Sequence, residues 1–495
     1  MGWLRFLVTD RESLPDDFLQ RTYMTGLEEI PWQSRNTWES GELVIARAFN
    51  DSGNVHVPWR SKQHAEVTLT TATLMQRDEP YQLEVELARG TLNLIRNQLA
   101  AWQQAGLVVP AAIKAHLSEA NGHFAKAATS QHEPAAAAQH AVRAIDSAIS
   151  VSELVGESYT EQALAVRRRQ APQLASLLGV HLGNRIIDKR MSADLVSTFN
   201  TAVVPFNWMR IEPEEGDRDW AVSDAQIAWC QSQGMKVCGG PLLQFDPTGI
   251  PDWMVLYEDE FEDLLEFMIG YVRDVVTRYR GKVNLWQVAG RVNFGQVLAL
   301  SEEQRLRIVV RVIETVRSLD ARAPVVVNFD QPWAECLAHR QLDLTPLHFA
   351  DTLARAELGL AGLGLEICAG YWPGGTQWHS QLDYSRLFDR WSMLGLPLLV
   401  SLTVPSSGAP DPQAASAALP LPLGHGKEIT STTQRDWIER FVPMMLSKNC
   451  VQVVIWNQLE DRQPHDFAHG GLYDHTGKAK PALAALREIR QEYLT

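Results

Sequence analysis

Residues 324–330 have the sequence PVVVNFD, which is apolar up to its polar end. Strands that are apolar on both faces are typical of a parallel sheet covered by other layers on both sides. Similar segments recur between residues 179 and 459, separated by amphipathic helical stretches such as Phe261–Tyr279 and Glu302–Leu319. The strand candidates are Gly179–Ile186, Thr201–Trp208, Lys236–Leu243, Val283–Arg291, Pro324–Asp330, Gly362–Ala369, Pro397–Val404 and Gln452–Leu459. Eight strands that alternate with helices predict a (β/α)8 TIM barrel over residues 178–495.

The chain before this barrel has a different composition. Short β-prone runs separated by turn residues predict a small β-sandwich-like domain over residues 1–78, similar in type to carbohydrate-binding domains. These runs are Leu4–Val8, Glu42–Ala46, His56–Trp59 and Glu66–Thr70. Alanine and leucine then recur at helical spacing and predict a helical segment over residues 79–177 that packs on the barrel. Its helices are expected after Pro80, over Pro110–Thr129, and from Pro134 to about Gln170 with a break at Gly156.

The overall charge and the cysteines exclude several classes of protein. The chain has 45 basic and 59 acidic residues, a net charge of -14, which argues against a nucleic-acid or anionic-membrane partner. It has no apolar run long enough for a membrane span and no visible signal peptide. Five cysteines without metal-type spacing favour reduced thiols. We therefore expect a cytoplasmic protein, although export by another route stays open. No feature calls for a cofactor or defines the oligomeric state.

The barrel segment resembles glycoside hydrolase family 10, the endo-1,4-β-xylanase family, over about 310 residues. The similarity lies at the second, third and fourth strands and at the end of the chain. The stretches that carry it are Phe199–Trp208 with Ile211-Glu212-Pro213, Gly239–Leu243 with Ile250–Trp253, Leu285–Val288, Trp456, Gly471–Asp474 and Lys480-Pro481-Ala482. Members of this family cleave β-linked xylan, so the resemblance implies a β-linked oligosaccharide or polysaccharide as partner.

The resemblance also implies that the catalytic carboxylates of the family are absent. A retaining glycosidase needs an acid and a nucleophile about 5–5.5 Å apart. The acid/base position at the end of the fourth strand corresponds to Arg291, whose guanidinium cannot act as a general acid. The nucleophile position after the seventh strand corresponds to Leu402, which cannot form a glycosyl ester. The sugar-holding positions of the family correspond to Asn207, Gly240, Gln244, Phe245, Glu366 and Cys368.

Other polar and aromatic residues follow the strands at their carboxyl ends, where functional residues of such barrels gather. Glu366 lies in an otherwise apolar strand and needs a partner, because a buried charge without one is costly. That partner is either Arg291 or Arg210 in a structural ion pair, or Glu366 acts on a ligand together with Asp330 on the neighbouring strand. The candidate substrate-binding residues are Trp333, Glu335, Tyr371, Trp372, Trp286, Asn457, Glu460, Asp461 and Arg291. His465 and His469 lie in a loop without a helical metal-binding frame, so no metal is expected.

Three functions fit these residues. The first is a carbohydrate-binding or scaffolding pseudo-hydrolase that lacks the retaining xylanase mechanism. The second is an O-glycosyl hydrolase of the xylanase-like class that acts on a β-linked polysaccharide through relocated acids, namely Glu366 with Asp330, Glu335, Glu460 or Asp461. The third is a structural or assembly protein whose contacts lie on residues 80–175. An ion pair between Arg291 and Glu366 in an aromatic-lined cleft favours the first, and two facing carboxyls favour the second.

Overall fold

A computed structural model describes residues 2–494 except Gln296, Gln341, Asp343, Ala417 and His425. Its first part consists of two small four-stranded sheets, mainly antiparallel, with short helices at Arg11–Ser13 and Phe18–Arg21. The strands are Gly2–Leu7, Tyr23–Thr25, Pro31–Trp32, Ser34–Glu39, Glu42–Arg47, Asn54–Trp59, Val67–Thr70 and Tyr81–Gln82. The expected strand runs are therefore present in this part of the chain.

The two small sheets share one apolar core. Phe6 and Ile45 of one sheet cluster with Val57 and Trp59 of the other, and all four side chains are fully buried. Alternate residues of Gly2–Leu7 are buried, as expected for strands with one solvated face. The tryptophan Trp59 thus packs in the core of the sandwich.

Three helices follow, over Leu83–Gln104, Ala111–Thr129 and Pro134–Gln170. The predicted break at Gly156 is wrong, because the third helix runs through it without interruption. A Cβ atom at residue 156 would lie 2.6 Å from Oε1 of Gln381, which belongs to a helix of the barrel. The glycine therefore marks a close approach between the helical segment and the barrel.

The remaining strands close into a parallel barrel, as predicted. The barrel strands 1 to 8 are Leu177–His181, Thr201–Val204, Lys236–Gly239, Leu285–Gly290, Val325–Asp330, Gly362–Cys368, Leu398–Thr403 and Val451–Trp456. Barrel strand 8 pairs with barrel strand 1 and completes the ring. A short extra strand, Leu243–Gln244, pairs with the end of barrel strand 4.

Helices surround this ring and cover its outer face. They are Lys189–Thr198, Trp208–Ile211, Ala221–Ser232, Asp252–Tyr257, Phe261–Tyr279, Glu302–Leu319, Glu335–Ala338, Pro346–Arg355, Gln381–Ser392, Ser431–Ser447 and Pro481–Tyr493. A small buried apolar cluster inside the ring includes Val203, Leu399 and Ile455. Among the described residues, none of the helices combines the length and apolar character that crossing a bilayer would need.

The N-terminal sandwich contacts the barrel near the loops that follow barrel strands 6 and 7. The backbone N–H of Glu66 donates to the carbonyl of Leu423 at 2.8 Å, and that of Thr68 donates to the carbonyl of Trp378 at 2.8 Å. The carboxylate of Glu66 also pairs with the buried guanidinium of Arg21 at 2.5 Å. The two backbone bonds attach the sandwich to the barrel, and the Glu66–Arg21 pair holds Glu66 in place within the sandwich.

Candidate functional site

A cavity of about 360 Å³ opens at the carboxyl ends of the barrel strands. Functional sites of such barrels occur at this end. Four of the candidate residues line the cavity: Arg291, Glu366, Asn457 and Glu460. The aromatic residues of its lining are Phe206, Trp208 and Phe467.

A single guanidinium lies at the centre of the cavity's inner end. Arg291 follows barrel strand 4, and its Nη2 lies 2.5 Å from Oε1 of Glu366 on barrel strand 6. Its Nη1 lies 2.7 Å from Oδ2 of Asp246, and Nη2 lies 2.7 Å from Oδ2 of Asp466. Of the two cations considered as ion-pair partners of Glu366, Arg291 and not Arg210 forms the pair, and the pair belongs to a cluster of one cation and three carboxylates.

The two additional carboxylates come from loops. Asp246 follows barrel strand 3, and its Oδ1 accepts hydrogen bonds from the N–H and hydroxyl of Thr248 at 2.8 and 2.7 Å. Asp466 lies in the loop after barrel strand 8. Backbone bonds join that loop to the loop after barrel strand 7, including Ala415 N–H to the His465 carbonyl at 2.8 Å and Ser416 N–H to the Asp466 carbonyl at 3.1 Å. These bonds place Asp466 over Arg291.

Burial and neighbouring charges shift the titration of this cluster. Burial raises the pKa of Asp466, and the nearby carboxylates of Asp246 and Glu366 add to the shift. Burial opposes the ionisation of Asp246 too, but Arg291 and the hydrogen bonds of Gln244 and Thr248 outweigh it and lower the pKa of Asp246. The three carboxylates raise the pKa of Arg291 well above its usual range against the effect of burial. Arg291 therefore stays protonated and cannot donate a proton to a leaving group.

Asp330 lies beside this cluster and outside the cavity lining. It pairs in register with Glu366 across barrel strands 5 and 6 and is 3% exposed. Burial, followed by the charge of Glu366, raises its pKa to about 8. The carboxyl of Asp330 is therefore mostly protonated at neutral pH.

Neutral polar side chains form the floor of the cavity. The amide Nδ2 of Asn328 donates to Oε1 of Gln287 at 2.5 Å, and both residues line the cavity. His181 also lines it, and burial lowers the pKa of its imidazole to about 4, so it is uncharged near neutral pH. Such a floor offers hydrogen-bond donors and acceptors without a net charge.

Barrel strand 7 contributes hydroxyl groups to this floor. Ser401 and Thr403 line the cavity, whereas Leu402 between them is fully buried in the core that surrounds the barrel. Successive side chains of a strand point to opposite faces, which explains this alternation. The inward positions on this strand therefore carry hydroxyls, and Leu402 does not face the cavity.

Two candidate residues after barrel strand 5 lie away from the cavity. The ring of Trp333 stacks on His379 with centroids 4.2 Å apart. Glu335 is 2% exposed and accepts from Nε2 of His379 at 2.7 Å and from the N–H of Gln377 at 2.9 Å. Both residues thus hold the loop after barrel strand 6 in place.

The candidates Tyr371, Trp372, Trp286 and Asp461 are also outside the cavity lining. The hydroxyl of Tyr371 donates to the carbonyl of Ala468 at 2.7 Å, and Trp372 is half-buried against the core. Trp286 is fully buried and donates to Oδ2 of Asp320 at 3.1 Å. Asp461 forms a buried pair with Lys480 at 2.5 Å. All four positions serve packing or loop attachment.

The rim of the cavity carries the remaining two candidates. Nδ2 of Asn457 donates to Oε1 of Glu366 at 3.2 Å, which links barrel strand 8 to the central cluster. Glu460 accepts from Nη1 of Arg185 at 2.7 Å, and both residues line the cavity. Their hydrogen bonds position the rim and leave polar atoms facing the cavity.

Sequence reasoning missed Asp246, Asp466, His181, Gln287 and Asn328. Gln287 and Asn328 could have been found, because polar residues inside apolar barrel strands are as unusual as Glu366. The two aspartates lie in loops without a periodic pattern, so only the fold brings them together. His465 and His469 both contact Asp411, and no group of three metal-ligating side chains occurs among the described residues.

The fold and this site define a β/α barrel with a polar cavity at its carboxyl end. Residues 177–293, which cover barrel strands 1 to 4, match the family model of glycosyl hydrolase family 10. The chain is similar to endo-1,4-beta-xylanase 5 of Arabidopsis thaliana, 31% identical over 81 residues, which is 16% of this chain and 14% of that protein. Endo-1,4-beta-xylanase C of Paenibacillus barcinonensis is 26% identical over 125 residues, 23% of this chain and 11% of that protein. The chain thus spans less than a fifth of the length of these relatives.

Two solved structures are similar to this chain at low identity. Xylanase 10B from Thermotoga petrophila RKU-1 in complex with xylobiose is 16% identical, with a TM-score of 0.49 over 66% of this chain and 97% of that one. The family 10 structure from Paenibacillus barcinonensis is 19% identical, with a TM-score of 0.47 over 66% and 98%. The chain contains a divergent barrel that is similar, over its first four strands, to the xylanases of this family.

Proposed function

We propose that this chain is a carbohydrate-binding or scaffolding protein built on a hydrolase-type barrel without the retaining xylanase mechanism. The observation that carries the proposal is the guanidinium of Arg291, which lies at the end of barrel strand 4 and binds Asp246, Glu366 and Asp466. A retaining mechanism needs a free acid and a free nucleophile on either side of a sugar. Here the cation occupies the space between the carboxylates.

The cavity has the composition of a sugar-binding site. Phe467 provides aromatic surface and is less buried than Phe206 and Trp208, which pack in the core, while Gln287 and Asn328 provide amide groups. Aromatic faces and amides are the groups that bind the apolar and hydroxyl surfaces of sugars. Because the relatives that this chain matches over part of its length are named endo-1,4-β-xylanases, a β-1,4-linked glycan is the proposed ligand.

The test measures binding and turnover on the same samples. Calorimetry with β-1,4-linked xylo-, cello- and manno-tetraose, followed by a reducing-sugar assay, should show binding without release of new reducing ends. Gln287→Ala should weaken binding at least about tenfold, whereas Gln231→Ala on an outer helix should not. Thermal unfolding of both variants separates a binding defect from a folding defect. Absence of binding to every saccharide refutes the proposal.

A hydrolase with relocated acids is the second candidate, favoured by one observation. Asp330 is adjacent to Glu366, and its pKa of about 8 keeps it protonated at neutral pH, as a general acid requires. Its position outside the cavity lining weighs against this role. Turnover in the wild type that is lost in Glu366→Gln and Asp330→Asn would establish this function in place of the first.

A further inference from the structure

The inner end of the cavity has more negative than positive groups. One guanidinium, that of Arg291, contacts the three carboxylates of Asp246, Glu366 and Asp466. Asp330 adds a fourth carboxyl beside them, and the charge of Glu366 contributes to keeping it protonated. One cation cannot neutralise three carboxylates, so an approaching ligand meets an excess of negative charge.

The most accessible member of this cluster is a carboxylate. The side chain of Asp466 is 31% exposed, compared with 10% for Arg291, 11% for Glu366 and 3% for Asp246. Asp466 also lines the cavity. A ligand that enters the cavity therefore meets the carboxylate of Asp466 before it meets the guanidinium.

The other charged groups of the lining do not reverse this balance. At the rim, Arg185 is paired with both Glu460 and Asp188. Arg210 lines the cavity but is exposed to solvent, where water and salt screen its charge. The imidazole of His181, with a pKa of about 4, does not add a positive charge near neutral pH.

A second feature indicates a ligand at the same place. Nε2 of Gln287 and Oδ1 of Asn328 have no hydrogen-bond partner among the described residues. Gln287 is 2% exposed and Asn328 is 7% exposed, and both line the cavity. Buried polar atoms are normally paired, so this donor and this acceptor need a partner that the described residues do not supply. Both atoms are covered within the wall of the cavity, and a movement of the side chain would bring each of them to a hydroxyl group of a bound molecule.

We propose that the cavity selects a β-linked saccharide bearing a protonated amine, such as a glucosamine oligomer, over its neutral and uronate counterparts. The inference rests on the proposed carbohydrate-binding function and names the ligand class. The amine would lie against Asp466 and Glu366, where a cation relieves the repulsion among the carboxylates. The sugar hydroxyls would bond to Gln287 and Asn328. A uronate carboxylate would instead add a further negative charge to this cluster.

The test compares three tetramers with the same β-1,4 linkage by titration calorimetry. They are a glucosamine tetramer, cellotetraose and a glucuronate tetramer, at a pH at which the amines are protonated. Glucosamine tetramer should bind at least about tenfold more tightly than cellotetraose, and the glucuronate tetramer more weakly than either. The preference should shrink as sodium chloride is raised, because salt screens charge–charge attraction.

Asp466→Asn should remove most of the preference for the glucosamine tetramer over cellotetraose. Asp436→Asn, the same change on an exposed residue of helix Ser431–Ser447, should preserve the preference. Equal binding of the amine and neutral tetramers, or an unaltered preference in Asp466→Asn, overturns this inference alone. Failure of all three tetramers and of the neutral xylo- and manno-tetraose to bind overturns the proposed function as well.

Discussion

The guanidinium of Arg291 binds the carboxylate of Glu366 across the intervening barrel strand 5. Nη2 lies 2.5 Å from Oε1, and Nε lies 3.2 Å from each of the two carboxylate oxygens. Both side chains are almost completely buried, so neither charge has water as a substitute partner. Removal of either partner from such a pair leaves an uncompensated charge in the barrel.

Replacement of the cation should therefore destabilise the protein more than replacement of both partners. We expect Arg291→Met to lower the free energy of unfolding by about 3–5 kcal/mol at neutral pH. Adding Glu366→Gln should restore at least about 1 kcal/mol of that loss, because one of the three carboxylates that lost their counter-ion is then uncharged. Urea unfolding of the wild type, both single variants and the double variant measures this coupling. Additive losses would show that the pair contributes no coupling energy.

The raised pKa of Asp330 predicts a pH dependence of stability. Its pKa of about 8 in the folded chain exceeds the ordinary value of 3.8, so between these values the folded state keeps a proton that the unfolded state has lost. The free energy of unfolding should thus fall as pH rises through this window, by up to about 1.4 kcal/mol per pH unit. Asp330→Asn removes this contribution and should gain stability relative to wild type from pH 5 to pH 8. If the free energy of unfolding of the wild type and of Asp330→Asn changed with pH in the same way, the expectation would be contradicted.

Because of the close contact at Gly156, we expect that replacing this glycine by alanine will not stabilise the protein. Alanine normally stabilises a helix interior by about 0.5–1 kcal/mol over glycine. At residue 156 the new methyl group would lie 2.6 Å from Oε1 of the buried Gln381, so Gly156→Ala should give no gain or a loss. Gly122→Ala is the matched control, because a methyl group added there, in helix Ala111–Thr129, would meet no atom within 4 Å among the described residues. In thermal unfolding, Gly122→Ala should raise the midpoint temperature, and Gly156→Ala should leave it unchanged or lower it.

We expect that loss of the Asp411 carboxylate would open the two loops beside the cavity locally. Its Oδ2 accepts from Nε2 of His465 at 3.0 Å and from the N–H of His469 at 3.0 Å, so it joins the loops after barrel strands 7 and 8. Asp411→Asn should speed amide hydrogen exchange over residues 461–470 while the core strands keep their protection. Asp436→Asn serves as the control. Unchanged exchange in this segment would show that the backbone bonds alone hold the two loops together.

The barrel could be predicted because its pattern is local and repeated. Helices Phe261–Tyr279 and Glu302–Leu319 lie at the predicted residues, since their apolar residues recur at helical spacing. All of the barrel strands except strand 5, which ends at Asp330 as predicted, end earlier than predicted, for example at His181 in barrel strand 1. Leu182, the next residue, is fully buried, so apolar sequence continues into a packed loop and conceals the end of the strand.

The site was predicted only where a polar residue interrupts an apolar strand or directly follows one. Glu366 and Arg291 are such residues, and their ion pair was one of the alternatives that the sequence left open. The aromatic candidates failed as cavity residues because a tryptophan or tyrosine after a strand serves packing equally well, as Trp333 and Tyr371 do. The role of Asp466 depends on a long loop that crosses the barrel mouth, which no local pattern reveals.

Arg291 joins four separate chain segments through its contacts with Asp246, Glu366 and Asp466. A glutamate introduced at residue 291 would place a fourth acid among three carboxylates that had just lost their counter-ion. The backbone there has a φ of 56°, so any side chain other than glycine also carries a conformational cost. An acid at residue 291 would therefore require simultaneous substitutions among Asp246, Glu366 and Asp466, so the three carboxylates and the arginine constrain one another's replacement.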